Sequence, residues 1–264
     1  MIIIGEKING AIPSVAKAIA ERNEAFIVDL AVRQTEAGAD YLDLCAGTAV
    51  DLEYDALAWL IGVVQDTVDT PICIDSPDAE MIKSVLPLIK REGLINSVSE
   101  ENGKSDNIYP LVARSGWKLI ALTCDDKGIP SSTDKKVEIA GVLIDKAKFY
   151  GISEDRIFID PLVLALSAVN DALLSFTETL SRVRAKYANV KFTSGLSNIS
   201  FGMPNRKLIN RNFLAYAIEA GMDSAIMDPT NKDIYSTILA SEVLLGKDKY
   251  CKNYNRAYRK GRLA

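Results

Sequence analysis

One local pattern recurs eight times along this chain: a short apolar run, a polar residue at its end, then an amphipathic stretch. The runs are Ile2-Ile3-Ile4 with Glu6, Tyr41-Leu42-Asp43, Ile72-Cys73-Ile74-Asp75 and Leu94-Ile95-Asn96. They continue with Leu119-Ile120-Ala121-Leu122-Thr123, Ile157-Phe158-Ile159-Asp160, Phe192 to Asn198, and Ala225-Ile226-Met227-Asp228. Runs this short and continuously apolar read as parallel strands buried on both faces. Helices are expected between them, over about 24–37, 52–68, 79–90, 106–115, 134–150, 171–187, 205–220 and 232–245. Ser76-Pro77 before Asp78 and Glu80 reads as a helix start, with Ser76 as the cap and proline in the first turn. Gly38, Gly116, Gly151 and Gly221 stand where helices should stop.

Eight alternations of strand and helix imply an α/β chain folded as a (β/α)8 TIM barrel, and 264 residues suit that fold. No linker or composition shift divides the chain, so 1–264 is expected to be a single barrel domain with a basic tail from about 247. The competing open doubly wound sheet usually carries a glycine-rich first turn, and the sequence contains no GxG and no Walker A motif.

Composition removes several chemistries. The chain contains no histidine, which excludes His-liganded zinc and every Ser-His or Cys-His nucleophile system. Proton transfer falls to carboxyls, Lys, Tyr, Cys or water. The four cysteines, Cys45, Cys73, Cys124 and Cys251, are scattered and form no CxxC, so they are expected to be reduced thiols in a cytoplasmic protein. No apolar run approaches a membrane span, and the N-terminal run is too short for a signal peptide. A net charge of −4 argues against a nucleic-acid partner.

The polar residues closing the runs are Glu6, Asp43, Asp75, Asn96, Thr123, Asp160, Asn198 and Asp228. In a barrel the C-terminal strand ends converge on one face, where the active site lies, so these residues are expected to form one polar ring. Taken singly, Asp43 or Asp228 reads equally well as a cap on the next helix. Carboxylates with amides suit a heterocycle that presents an N–H beside an amino group, because an ionised carboxylate accepts both. Pterins and purines both fit. A metal site from Asp75, Asp160 and Asp228 is the competing use of the same acids. Thr193 to Gly202 is rich in small and hydroxyl residues, and Gly195 would let a ligand approach the backbone.

A set of ordered motifs carries a family resemblance. They are Gly5-Glu6-Lys7-Ile8-Asn9, Leu42-Asp43-Leu44, Ile74-Asp75-Ser76, Ile95-Asn96-Ser97, Ile159-Asp160-Pro161-Leu162, Gly195-Leu196-Ser197-Asn198-Ile199-Ser200 and Asn205-Arg206-Lys207-Leu208-Ile209-Asn210. In this order the sequence resembles the methyltetrahydrofolate:corrinoid methyltransferases, pterin-binding barrels that include the folate domain of cobalamin-dependent methionine synthase. The similarity runs to about Cys251.

The resemblance implies methyl transfer, in either direction, between N5 of tetrahydrofolate and the cobalt of a corrinoid carried by a partner protein. It implies that Asp75, Asn96 and Asp160 bind the pterin, with Gly195, Ser197, Arg206 and Ile226 around it. Asn198 would lie beside N5 and, with Asp160, take part in the chemistry. Glu6, Asn9 and Asp43 would stand behind the ring. It also implies a homodimer and no metal ligated by this chain, so any corrinoid-ligating histidine must come from the partner. Cys45 and Phe201-Gly202 depart from some family members. Related dihydropteroate synthases share the barrel, but their basic phosphate motif after the last strand is replaced here by Met227-Asp228-Pro229-Thr230. A dihydropteroate-synthase-like enzyme and a non-catalytic pterin or corrinoid-partner binding protein are the alternative readings.

The tail interleaves Lys249, Lys252, Arg256, Arg259, Lys260 and Arg262 with Tyr250, Tyr254 and Tyr258. Tyrosines four apart are expected to form one helix face packed on the barrel or on a second subunit. Attraction of an acidic corrinoid protein or of folate glutamates is the other reading of the tail.

Overall fold

The eight apolar runs form eight parallel strands in a computed structural model that describes residues 1–264. They are β1 (Ile2–Asn9), β2 (Tyr41–Cys45), β3 (Ile72–Asp75), β4 (Leu94–Glu100), β5 (Lys118–Asp125), β6 (Ile157–Asp160), β7 (Lys191–Phe192) and β8 (Ser224–Met227). Their order is β7-β6-β5-β4-β3-β2-β1-β8. β7 is too short to pair fully with β8. The ends are joined instead by a parallel bridge between Gly195 and Ile226, where the Ile226 N–H donates to the Ser194 carbonyl at 2.9 Å. The result is the expected (β/α)8 TIM barrel.

The helices are α1 (Pro13–Ala20), α2 (Glu24–Glu36), α3 (Val50–Thr67), α4 (Ala79–Val85), α5 (Lys104–Val112), α6 (Thr133–Phe149), α7 (Ala172–Lys186), α8 (Arg206–Glu219), α9 (Lys232–Leu244) and α10 (Lys252–Arg259). The strand–helix repeat left α1 unanticipated; it opens on Pro13 and buries Val15, Ala18 and Ile19. α4 is shorter than expected. It passes into a 3-10 turn over Leu86–Leu88 because Pro87 has no N–H to continue the α ladder. Its cap is Asp78, whose carboxylate accepts the Glu80 N–H at 2.9 Å, and not Ser76. Ser76 Oγ instead donates to Glu53 Oε1 at 2.7 Å.

Two apolar layers hold the barrel. One fills the space between strands and helices. The other is a small cluster of Ile4, Tyr41, Cys73, Leu94, Ile120 and Phe158, one residue from each of six neighbouring strands, and it fills the barrel interior. Side chains alternate along a strand, so the residue two positions further on faces the same interior, one layer higher. Those residues are Glu6, Asp43, Asp75, Asn96, Leu122 and Asp160. The floor of the site is therefore the core of the barrel.

The tail departs from expectation. α10 buries Ala257, while Tyr250 and Tyr258 are 87% and 71% exposed. Tyr250 lies outside α10 at φ 58°, so only Tyr254 and Tyr258, four apart on α10, share a helix face. Arg262 anchors the end of the chain by stacking on Tyr235, 4.4 Å from its ring centre, and donating to the Ala37 carbonyl. No helix is long and apolar enough to cross a membrane.

Candidate active site

Register sets the height of each polar residue. Asp75 pairs with Cys45 on one side and Asn96 on the other, and Asp160 pairs with Leu122. Asp75 and Asn96 thus sit side by side at the barrel mouth; Asn96 pairs with Ile120 and Ile120 with Phe158, so Asp160 reaches the mouth two residues further along its strand. Asp43 pairs with Cys73, two residues before Asp75 on β3, and is only 2% exposed. It neither closes its strand nor caps a helix. Instead its Oδ1 accepts a bond from Asn96 Nδ2 at 3.3 Å, which fixes the Asn96 amide from below.

Burial raises Glu6, Asp43, Asp75 and Asp160. Asp43 and Asp75 are both held above the usual carboxylate range, first by desolvation. The charge of Asp75 lifts Asp43 further, while a thiol bond from Cys45 and the charge of Lys104 oppose the rise at Asp75. Burial pushes Glu6 up to about 7, helped by the charge of Asp228 and opposed by Lys7 and Arg206. Asp160 rises to about 6, again by burial. The backbone N–H groups of Leu162 and Gly195 and the charge of Lys136 oppose it, the Leu162 bond being 2.8 Å.

These shifts carry a stability consequence. Each folded-state value lies above the ordinary one, so near neutrality the folded protein holds protons that the unfolded chain has released. The stability from these groups is full below about pH 4 and is lost as pH rises through about 6 for Asp160 and about 7 for Glu6. For Asp160 the rise from 3.8 to about 6 amounts to on the order of 3 kcal/mol by pH 7. Thermal melts of the ligand-free protein are expected to show a falling melting temperature above about pH 5, and Asp160→Asn should flatten that fall. A flat wild-type profile would contradict this electrostatic picture.

The segment after β7 forms a 3-10 turn over Leu196–Ser200, and it carries Asn198 at the mouth. Asn198 is exposed, and its side-chain amide has no hydrogen-bond partner within the chain. Gly195 lies directly beside that amide. A Cβ built at Gly195 would stand 3.0 Å from Asn198 Nδ2, so the missing side chain gives the amide its room. Arg206, at the start of α8, ties the turn down: Nη2 donates to the Ser197 carbonyl at 2.8 Å and Nε to Ser200 Oγ at 3.0 Å. Ile226 is half-buried beside Gly195 and lines the wall.

Other expected members of the ring are committed elsewhere. Thr123 faces away from the barrel interior, and its hydroxyl donates to the Asp160 carbonyl at 3.2 Å. Asp228 forms a loop turn, accepting the Thr230 N–H and hydroxyl at 2.9 and 2.6 Å, and lies 3.7 Å from Lys7. Asn9 closes a turn by accepting the Ala11 N–H at 2.8 Å. Asp75, Asp160 and Asp228 do not converge into a group able to hold a metal ion. Three participants behind the mouth have no signal in the sequence, Glu53, Lys104 and Lys136, and Ser76, read there as a cap, binds the first two.

Such a mouth offers acceptors from Asp75 and Asp160, the amide of Asn96, and an unpartnered amide at Asn198. It suits a ligand with adjacent N–H donors along one edge and a basic nitrogen some distance away.

Known proteins similar to this chain fall together. A family model described as pterin binding enzyme matches residues 8–228. The methylcorrinoid:tetrahydrofolate methyltransferase of Eubacterium limosum is 51% identical over 100% of this chain and 98% of its own length. Methionine synthases of Mycobacterium tuberculosis and Mycobacterium leprae are 30% and 32% identical over 86% of this chain, which spans only 20% of their length. Among solved structures, a dihydropteroate synthase of Burkholderia cenocepacia superposes with TM-score 0.69 at 18% identity, covering 95% of this chain and 92% of that one. The Xanthomonas albilineans dihydropteroate synthase in complex with 7,8-dihydropteroate gives 0.64 at 17% identity, covering 94% and 93%. These two likenesses concern the fold. The family match and the full-length relative establish that the chain belongs to the pterin-binding enzymes, in one family with the Eubacterium limosum methyltransferase.

Proposed function

We propose that this chain is a methyltransferase that moves a methyl group between N5 of tetrahydrofolate and the cobalt of a corrinoid carried by a partner protein. The observation that carries the reading is full-length 51% identity to a methylcorrinoid:tetrahydrofolate methyltransferase. Supporting it, the acids and amides suited to a pterin edge stand together at the barrel mouth.

In this reading Asp75 and Asp160 accept the ring N–H and amino groups, and Asn96 reads the remaining edge with the amide that Asp43 orients. Gly195, Ser197 and Ile226 line the ring, and Arg206 holds the turn that presents Asn198 to N5. Asn198 stabilises the charge that develops at N5 as the methyl group leaves or arrives. The barrel mouth supplies proton donors suited to this step, since burial leaves Glu6 and Asp43 partly protonated near neutrality. Glu6, Asn9 and Asp43 act from behind the ring. The corrinoid is the second substrate, brought by the partner, and its cobalt supplies the nucleophile or the methyl group. A single barrel domain over 1–264, a homodimer and a cytoplasmic setting belong to the same proposal. An exposed apolar strip of Leu174, Leu208 and Tyr216 on α7 and α8 supports the homodimer.

The test is to mix the protein anaerobically with 5-methyltetrahydrofolate and Co(I) cobalamin and follow the cobalt spectrum. Conversion to methylcobalamin at a rate proportional to protein is expected. Folate binding without any conversion would instead identify a non-catalytic pterin-binding barrel.

A further inference from the structure

The sequence has 31 Lys and Arg, and only two of them are buried: Lys104 at 8% exposure and Lys136 at 2%. Both stand behind the barrel mouth. Lys104, in the first turn of α5, donates to the Ser76 carbonyl at 2.9 Å, one residue beyond Asp75. Lys136, in the first turn of α6, donates to the Leu162 carbonyl at 3.0 Å, two residues beyond Asp160. Two helices thus repeat one construction: an ammonium docked on the turn that follows a rim aspartate.

Neither lysine makes an ion pair, although burying an unpaired cation is costly. A packing role alone does not account for two such charges, since an apolar side chain would fill either place without that cost. Their surroundings offer an explanation. Around Asp75 stand Asp43 and Cys45 on β2, Glu53 on α3 and Lys104 on α5; around Asp160 stand Lys136 on α6 and the N–H groups of Leu162 and Gly195, and Asp171 before α7 acts on Lys136. Lys104 also feels Glu101, Asp78 and the Cys124 thiol. Lys104 is the cation that acts on Asp75, and Lys136 is the cation that acts on Asp160.

We propose that Lys104 and Lys136 are positioning residues for the ligand-facing aspartates: each supplies the buried countercharge that keeps its aspartate ionised and holds the turn that aims it. An ionised carboxylate accepts two N–H donors from a heterocycle edge, whereas a protonated one presents a hydrogen where the ligand also presents one. The direction of the field agrees, since Lys136 lowers the Asp160 value and Lys104 lowers that of Asp75 against the rise caused by burial. The inference rests on the proposed folate site.

The experiment is tetrahydrofolate binding by calorimetry as a function of pH, for wild type, Lys136→Met, Asp160→Asn and the double variant. Wild-type affinity should fall on acidification. In Lys136→Met the pH of that fall should move up by about one unit or more, and affinity at pH 7 should drop about tenfold. In the Asp160→Asn background the lysine substitution should add little. Lys104→Met should act in the same way through Asp75. A lower melting temperature with an unmoved pH profile would overturn the proposal, because that is the signature of a packing role. Wild-type protein that binds no folate would overturn the folate reading itself. NMR of 15N-lysine-labelled wild-type protein gives an answer even where the variants fail to fold. Charged ammonium groups at both positions at pH 7 support the proposal, and a neutral amine at either refutes it there.

Discussion

Replacing Asp75 by alanine is expected to weaken tetrahydrofolate binding by roughly 100-fold or more while leaving the barrel folded. Asp75 stands at the C-terminal end of β3, half-buried, with the Cys45 thiol beside it and no N–H of the chain donating to its carboxylate. Its carboxylate is therefore open to a ligand. A charge-assisted hydrogen bond contributes roughly 1.5–3 kcal/mol, and a carboxylate that accepts two ligand donors forms two of them. Their loss corresponds to roughly two to four factors of ten in affinity, the lower end being more realistic because water partly replaces the carboxylate. Little packing depends on the side chain, since the interior layer below it is filled by Cys73 and its neighbours. Calorimetry on the variant checks the outcome, with circular dichroism confirming the fold. Native affinity would remove Asp75 from the site.

Asn198→Ala is the second large effect, and it should fall on rate instead of affinity. The Asn198 amide is exposed at the mouth and has no partner in its own loop, so it is available to a ligand atom. A neutral N5 amine is a weak hydrogen-bond partner, and the bond strengthens only as charge develops there. Interactions that grow in the transition state raise the rate without greatly tightening the ground state. With roughly 1.5–3 kcal/mol for a charge-assisted bond, the single-turnover methyl-transfer rate should drop about 10- to 100-fold. Folate affinity should change only modestly. An unchanged rate would remove Asn198 from the chemistry, and equal losses in rate and affinity would make it a simple binding residue.

Much of this architecture is legible in the residue pattern, for one physical reason. A parallel strand buried on both faces must be apolar up to the point where it emerges at the mouth, so Asp75 and Asp160 mark their own strand ends. Asp43 and Asn96 are less transparent, because both lie inside their strands and reach the site through the two-residue alternation. Thr123 looks like a ring member by position, yet alternation from Ile120 and Leu122 turns it outward onto the Asp160 carbonyl. β7 contributes only two residues of regular strand, so the end of its apolar run is irregular and Asn198 arrives on a turn.

Lys104 and Lys136 were invisible for the opposite reason. A lysine in the first turn of an amphipathic helix reads as a solvated charge, and only the packing of the helix against the mouth reveals that it is buried. The tyrosines of the tail are legible only in part. Their spacing suggests a helix face, but the backbone leaves the helical region at Tyr250 and Cys251, so α10 begins after the first of them.

The most direct test is a crystal structure of the protein with bound tetrahydrofolate. The account predicts the pterin edge on Asp75, Asn96 and Asp160 at hydrogen-bond distance, with N5 facing the Asn198 amide. A pterin bound elsewhere, or seated in the mouth with N5 turned away from Asn198, would contradict it.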